Sequence, residues 1–281
     1  MRATSPFALR SAGAALLACA LPACFSVPSF PNQRDVRELR VLAIKADPPL
    51  VAPGGTVALT ALVVDAHGPV AGADYRWWRC GESGGSEGSA SCGRDDRGAQ
   101  QVGNAAQASY TAPEGVLDER GRSIFVTWYG YRDVVNLGVS HGGEEAQAFK
   151  RVQVQRGAGN RNPSLAGILV EGADVAGAAV SVRPGAKYAV SPAVGAGSRE
   201  TFSVLDFSGR SQTLTEELEF SWYATGGSLS DGVTVEGKQA AAHWTAPDKP
   251  PADGEPLWLF AIVYDGRGGT DWWAQEIRVG P

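Results

Sequence analysis

The 281-residue sequence is short of several things. It has one Met, three His and four Cys. So few soft and imidazole ligands leave little from which to assemble a metal cluster. Only 5 of its 25 basic residues are Lys, and none of the Arg residues gather in a block. The formal net charge is −5, which argues against a nucleic-acid partner. No apolar run reaches the roughly 18 residues that span a bilayer as a helix. A helical signal is also missing. Gly makes up 36 of the 281 residues, nearly twice the usual share of about 7%, and each Gly inside a helix costs about 1 kcal/mol relative to Ala. What remains is 43% hydrophobic and 9% aromatic, enough to build packed cores and to exclude wholesale disorder. The length exceeds the roughly 150 residues of one domain, so two are expected.

The first residues read as an address. Arg2 and Arg10 precede the uncharged stretch 11–23, which is too short to span a membrane and suits the core of a secretory signal. It ends in Leu21-Pro22-Ala23-Cys24, which resembles the lipobox of bacterial lipoproteins. That resemblance implies cleavage before Cys24, lipid chains on it, and attachment to a membrane. Leu16-Leu17-Ala18-Cys19 is a second match to the same pattern, and cleavage at Ala20 or Ala23 of a soluble secreted protein is the plainer alternative. Cysteine arithmetic favours Cys24, because it leaves Cys80 and Cys92 as an even pair in an oxidising compartment. Phe25 stands where some lipoproteins carry the Asp of inner-membrane retention, so the resemblance points to the outer membrane. Residues 24–35 then serve as a tether.

Internal repetition organises the rest. Val51–Thr60 aligns with Val182–Ser191, Tyr75–Trp78 with Phe220–Tyr223, and Tyr110–Pro113 with Trp244–Pro247. Ile124–Trp128 aligns with Trp258–Ile262, and Arg151–Val154 with Glu276–Val279. The blocks alternate with period two, as strands with one buried face must, and Pro-Gly, Asp-Gly and Gly-Gly pairs punctuate them. Short strands between turns predict an all-β fold of two antiparallel sandwiches, with one or two helical turns allowed at Thr215–Leu218 and Glu144–Arg151. The paired Trp77 and Trp222, the Thr-Ala-Pro segments and Tyr264–Thr270 resemble bacterial immunoglobulin-like or PKD-like domains. The resemblance implies a first domain over 36–156, a linker over 157–163 and a second domain over 164–281. No cysteines stand where antibody domains join their sheets. Pro192 inside a strand predicts an edge or a bulge.

Function is sought where the repeats differ. Cys80 and Cys92 bracket a Gly/Ser-rich insert, read as a disulfide-closed loop in preference to a redox or metal pair. An insert near Gly195–Glu217 lies between the second domain's B and C strands. Another, near Arg132–Glu145, lies between the first domain's F and G strands. Those loops share one end of such a sandwich, where a binding surface is expected. Neighbouring strand residues face opposite ways, so with Trp77 and Trp222 inward, Trp78, Tyr223 and Trp272 are candidate exposed rings. Exposed rings suit sugars; they also suit packing between domains.

Catalytic constellations are not visible. Gly138–Gly142, Gly81–Gly85 and Gly84–Gly88 fit G-x-S-x-G, but the strand–turn–helix context of a nucleophile elbow is absent. His67 and His243 read as solvated, and His141 beside Glu144 and Glu145 lacks a second ligand spacing. Asp265 and Asp271 flank a Gly-rich turn without the oxygen alternation of a calcium loop. The expectation is a non-catalytic envelope protein without cofactor or metal. Its partners would be the membrane, through its anchor, and an envelope protein or a polysaccharide. The rival reading is a glycan-binding accessory protein.

Overall fold

The alternating segments condense into strands wherever one face can be buried. A computed structural model describes residues 32–80, 92, 99–119, 130–157, 159–174, 178–205, 210–239, 241–252 and 254–280. Every regular element among them is a strand. Cys24, expected to be lipidated, the alternative Cys19 and the block at 124–128 lie outside the described residues.

The first sandwich comprises β1 (Arg40–Asp47), β2 (Leu50–Val51), β3 (Thr56–Asp65), β4 (Gly68–Pro69), β5 (Asp74–Arg79), β6 (Gln100–Gly103), β7 (Gln107–Thr111), β8 (Tyr131–His141) and β9 (Glu144–Val154). One sheet joins β1, β3 and β7, with β4 turned back on the end of β3; the other runs β2-β9-β8-β5-β6. Val57, Leu59 and Val63 from the first sheet meet Trp77, Leu137, Val139 and Val152 from the second in one core.

The second sandwich repeats the plan. It contains β10 (Leu165–Val170), β11 (Ala173–Asp174), β12 (Val180–Val182), β13 (Lys187–Val194), β14 (Thr201–Leu205), β15 (Ser211–Thr215), β16 (Glu219–Ala224), β17 (Ser228–Leu229), β18 (Val233–Val235), β19 (Ala242–Thr245), β20 (Leu257–Tyr264) and β21 (Thr270–Val279). Its sheets run β11-β10-β13-β19-β17 and β12-β21-β20-β16-β18, with β14-β15 as a separate hairpin. The strand order is that of an immunoglobulin-like sandwich. In both copies a short strand pairs parallel with the last one: Val51 faces Val154, and Val182 faces Val279. Trp77 and Trp222 fill corresponding interior places, each 0% exposed. Their indole N–H groups still find acceptors, the Ala105 carbonyl at 2.9 Å and the Thr234 hydroxyl at 2.9 Å. Pro192 is paired with Ile168 on one side only, beyond the last residue that β19 covers, where its missing N–H costs nothing.

Three expectations change. Trp77 pairs with Leu137 and Trp222 with Ala261, so residues 134–138 occupy the place of 258–262, not Ile124–Trp128. The alternation misled because this strand carries buried polar residues, Asp133 and Asn136. The predicted F–G insert at Arg132–Glu145 is not a loop: it is most of β8, closed onto β9 by Gly142 and Gly143 at φ 59 and 87. Both positive angles suit a two-residue hairpin turn. Finally, Glu144–Arg151 is strand rather than helix, and 216–218 has no regular structure.

Candidate binding surface

The three candidate rings are not free. Trp78 is 6% exposed and packs with Cys80, Cys92 and Val134. Its indole N–H donates to the Cys92 carbonyl at 3.0 Å. Cys80 and Cys92 are joined in a disulfide, with Cα atoms 5.7 Å apart. The Asn136 amide donates to Sγ of Cys80 at 3.0 Å. The Cys80–Cys92 disulfide therefore covers Trp78 on the outer face of the β9-β8-β5 sheet.

At the equivalent face of the second sandwich the cover is the first sandwich. Val36, Ala43, Leu62 and Val64 form a third buried cluster with Phe260 and Ile262, and Tyr223, Trp258, Tyr264 and Trp272 pack against it. Arg34 lies over the Tyr223 ring at 5.2 Å, and Lys45 over Trp272 at 5.2 Å. Gly68 sits so close to the Trp258 indole that a Cβ there would collide with it. The expectation of exposed sugar-stacking rings is thus corrected. Large apolar faces on both neighbours are better buried against each other than left in water, which is the interdomain role weighed above.

Polar staples close both ends of this contact. At one end, the Val36 N–H donates to the Ala224 carbonyl at 2.8 Å, and the Ala224 N–H donates to the Arg34 carbonyl at 3.0 Å. Residues 34–36, the first two inside the stretch expected to be a tether, thereby pair beside β16 of the second sandwich before the chain enters the first. At the other end, Lys45 pairs with Asp271 at 2.9 Å, and Asn162 donates to the Ala46 carbonyl at 2.9 Å. Lys150 donates to the Gly268 carbonyl at 2.8 Å and to the Thr270 hydroxyl at 2.9 Å. Burial lowers the pKa of this ammonium to about 8, with Asp265 opposing the shift.

The insert near Gly195–Glu217, expected to form part of a binding end, holds the linker instead, together with the 265–269 turn. The Asp265 carboxylate accepts from the backbone N–H of Arg267 at 2.7 Å and of Gly269 at 2.8 Å, and from the Asn160 amide at 2.7 Å. That is a turn and not a calcium loop. Arg267 pairs with buried Glu216 at 2.8 Å and stacks over Phe202 at 4.2 Å. Glu200 accepts from the Arg161 backbone and side chain at 3.0 and 2.7 Å. Partial burial opposes ionisation of Glu200, but the Arg161 bonds and charge hold its pKa below the usual carboxylate value.

A cleft of about 660 Å³ stays open between the sandwiches, with β8 and β9 on one side and β14 and the 266–268 turn on the other. Three guanidiniums line it, those of Arg132, Arg151 and Arg267, against the single carboxylate of Glu200. Amides and hydroxyls of Gln153, Gln155, Thr201 and Ser203 complete its polar lining. Nothing in the sequence pointed here, because its walls come from strands of different repeats.

Among the described residues no three His, Cys, Asp or Glu side chains gather closely enough to hold a metal. His141 faces Glu144 across the hairpin, but the Glu144 carboxylate accepts from the Leu39 N–H at 2.6 Å. Ser230 and His243 both approach Asp231, at 2.9 and 3.2 Å. The carboxylate sits between them, so the His cannot take the Ser proton as a triad requires. His67 is exposed, and its N–H donates to Asp65.

Neither a family model nor a curated protein matches the chain. Similar solved structures include the D0-D1 domain of intimin, at 13% identity and a TM-score of 0.23, over 85% of this chain and 99% of that one. Murine CEACAM1b is 12% identical with a TM-score of 0.23, over 86% and 100%. The elastase-activated alpha-2-macroglobulin of Escherichia coli is 10% identical with a TM-score of 0.25, over 89% and 22%. Likeness at this level says nothing about activity or partner.

Proposed function

We propose that the protein is a non-catalytic, lipid-anchored module of the cell envelope that binds or organises other envelope components. One observation carries the module reading. The two sandwiches share a buried apolar layer stapled at both ends, so their surfaces are held in one fixed relation. A catalyst needs a nucleophile, a base and an orienting group in reach of one reacting atom. The candidates, Ser140 and His141 from the sequence and the Asp231–His243 pair from the structure, supply no such set. Rigid presentation of a surface is what the arrangement does well.

The anchor rests on the Leu21–Cys24 motif and is tested by changing Cys24 to Ala. The full chain is expected to move from the membrane fraction to the soluble periplasmic fraction, with the acyl mass lost from the mature N-terminus. Continued membrane retention with acylation at Cys19 would overturn the assignment. The polysaccharide alternative transfers from the buried rings to the interdomain cleft, whose cationic and amide lining favours it.

A further inference from the structure

We infer that the interdomain cleft is a binding site for an acidic saccharide, one that carries carboxylates on its sugar rings. This deepens the polysaccharide reading above and rests on it. The starting point is register. Arg132 pairs with Gln153, and Val134 with Arg151, across β8 and β9. Directly opposite residues and residues two apart share a face, so Arg132, Arg151 and Gln153 project on one side of the sheet. The two guanidiniums are diagonal neighbours, a placement that costs energy through like-charge repulsion unless an anion lies between them.

No carboxylate of the described residues pairs with either. Arg267 has Glu216, Arg161 has Glu200, and Arg79 has Asp133, whereas the Arg151 guanidinium lies over the ring of Phe149, at 5.1 Å. In a chain of net charge −5, and with Arg267 and Glu200 already in ion pairs, the guanidiniums of Arg132 and Arg151 give the cleft a local surplus of positive charge. An uncommitted pair of planar guanidiniums fits a carboxylate, which each can grip with two parallel hydrogen bonds.

The surroundings select the rest of the ligand. Gln153 and Gln155 offer amide donors and acceptors of the kind that hydroxyl groups pair with. Val204, 36% exposed in the wall opposite the arginine pair, supplies apolar surface for the hydrophobic face of a pyranose. The cleft's 660 Å³ lies within the range of about 300–1,000 Å³ typical of small-ligand sites, which favour junctions between domains. A run of acidic peptide would satisfy the arginines but has less use for hydroxyl partners.

The test is titration calorimetry of the purified full-length protein with three probes: a galacturonate hexamer, a neutral glucose hexamer and a glutamate hexamer. The galacturonate hexamer is expected to bind, with affinity falling as salt rises. The variant carrying Arg132→Gln and Arg151→Gln should bind about tenfold more weakly or worse, with unchanged thermal unfolding. The glucose and glutamate hexamers are expected not to bind. Absence of galacturonate binding, equal binding by the double variant, equal binding of the glucose hexamer, or binding of the glutamate hexamer at comparable strength would each overturn the inference. Failure here, together with normal membrane anchoring through Cys24, would leave the anchored-module reading intact. Loss of that anchoring with saccharide binding retained would sink the anchor and spare the site.

Discussion

At the scale of single residues, the repeat supplies its own control experiment. Asp133 is 0% exposed and pairs with Arg79 at 2.7 Å. Burial pushes its carboxyl up, against the pull of the Arg79 guanidinium. In the second sandwich the same two places hold Leu257 and Ala224, so an apolar core suffices there. A buried pair is costly to break and cheap to replace. Asp133→Leu alone should cost about 3–5 kcal/mol, because it strands a buried guanidinium. Combining it with Arg79→Met should recover most or all of that loss, as read from urea unfolding midpoints. Lys150 offers a second test. Its folded pKa of about 8 lies below the ordinary 10.5, so between those values the unfolded chain binds more protons than the folded one. Stability should therefore rise with pH from about 8 towards 10, and Lys150→Met should flatten that rise. Above 10 the trend should reverse, since burial raises the Tyr264 phenol to about 12 and only the unfolded state ionises there.

At the scale of elements, the strands were legible wherever burial enforced strict alternation. Val57, Leu59 and Val63 point inward as their period requires, and the parallel pairings of Val51 and Val182 place the aligned segments in equivalent positions. Legibility failed at β8, whose inward Asp133 and outward Asn136 break the pattern although both are buried by specific partners. A period-two reading sees polarity and cannot see a salt bridge formed with a residue 54 positions away. The disulfide was legible from cysteine pairing, but its role as cover for Trp78 was not. Replacing Cys80 and Cys92 with Ser should cost about 3 kcal/mol for a loop of this length. It should also raise the fluorescence response of Trp78 to an added quencher. An unchanged unfolding midpoint would show that the loop holds itself in place without the bond.

At the scale of the whole molecule, the apolar layer between the sandwiches should couple their unfolding. Interfaces between domains are usually modest and permit independent motion. This one buries Phe260 and Ile262 completely and is clipped by residues that precede the first sandwich in sequence. Calorimetry of the intact protein should show one unfolding transition. Phe260→Ala should remove about 3–5 kcal/mol and split that transition into two. If the variant still melts as one, the coupling lies elsewhere, with the linker and the Lys45–Asp271 pair first in line.

The sequence alone determined the all-β class, the duplication, the inward Trp77 and Trp222 and the pairing of Cys80 with Cys92. All of these follow from local alternation, turn chemistry and counting, which need no knowledge of distant neighbours. Only the tertiary structure decided the fate of Trp78, Tyr223 and Trp272 and the existence of the arginine-lined cleft. An outward ring has the same sequence signature whether water, a loop or another sandwich lies over it. Its burial depends on what the chain brings to that face after folding.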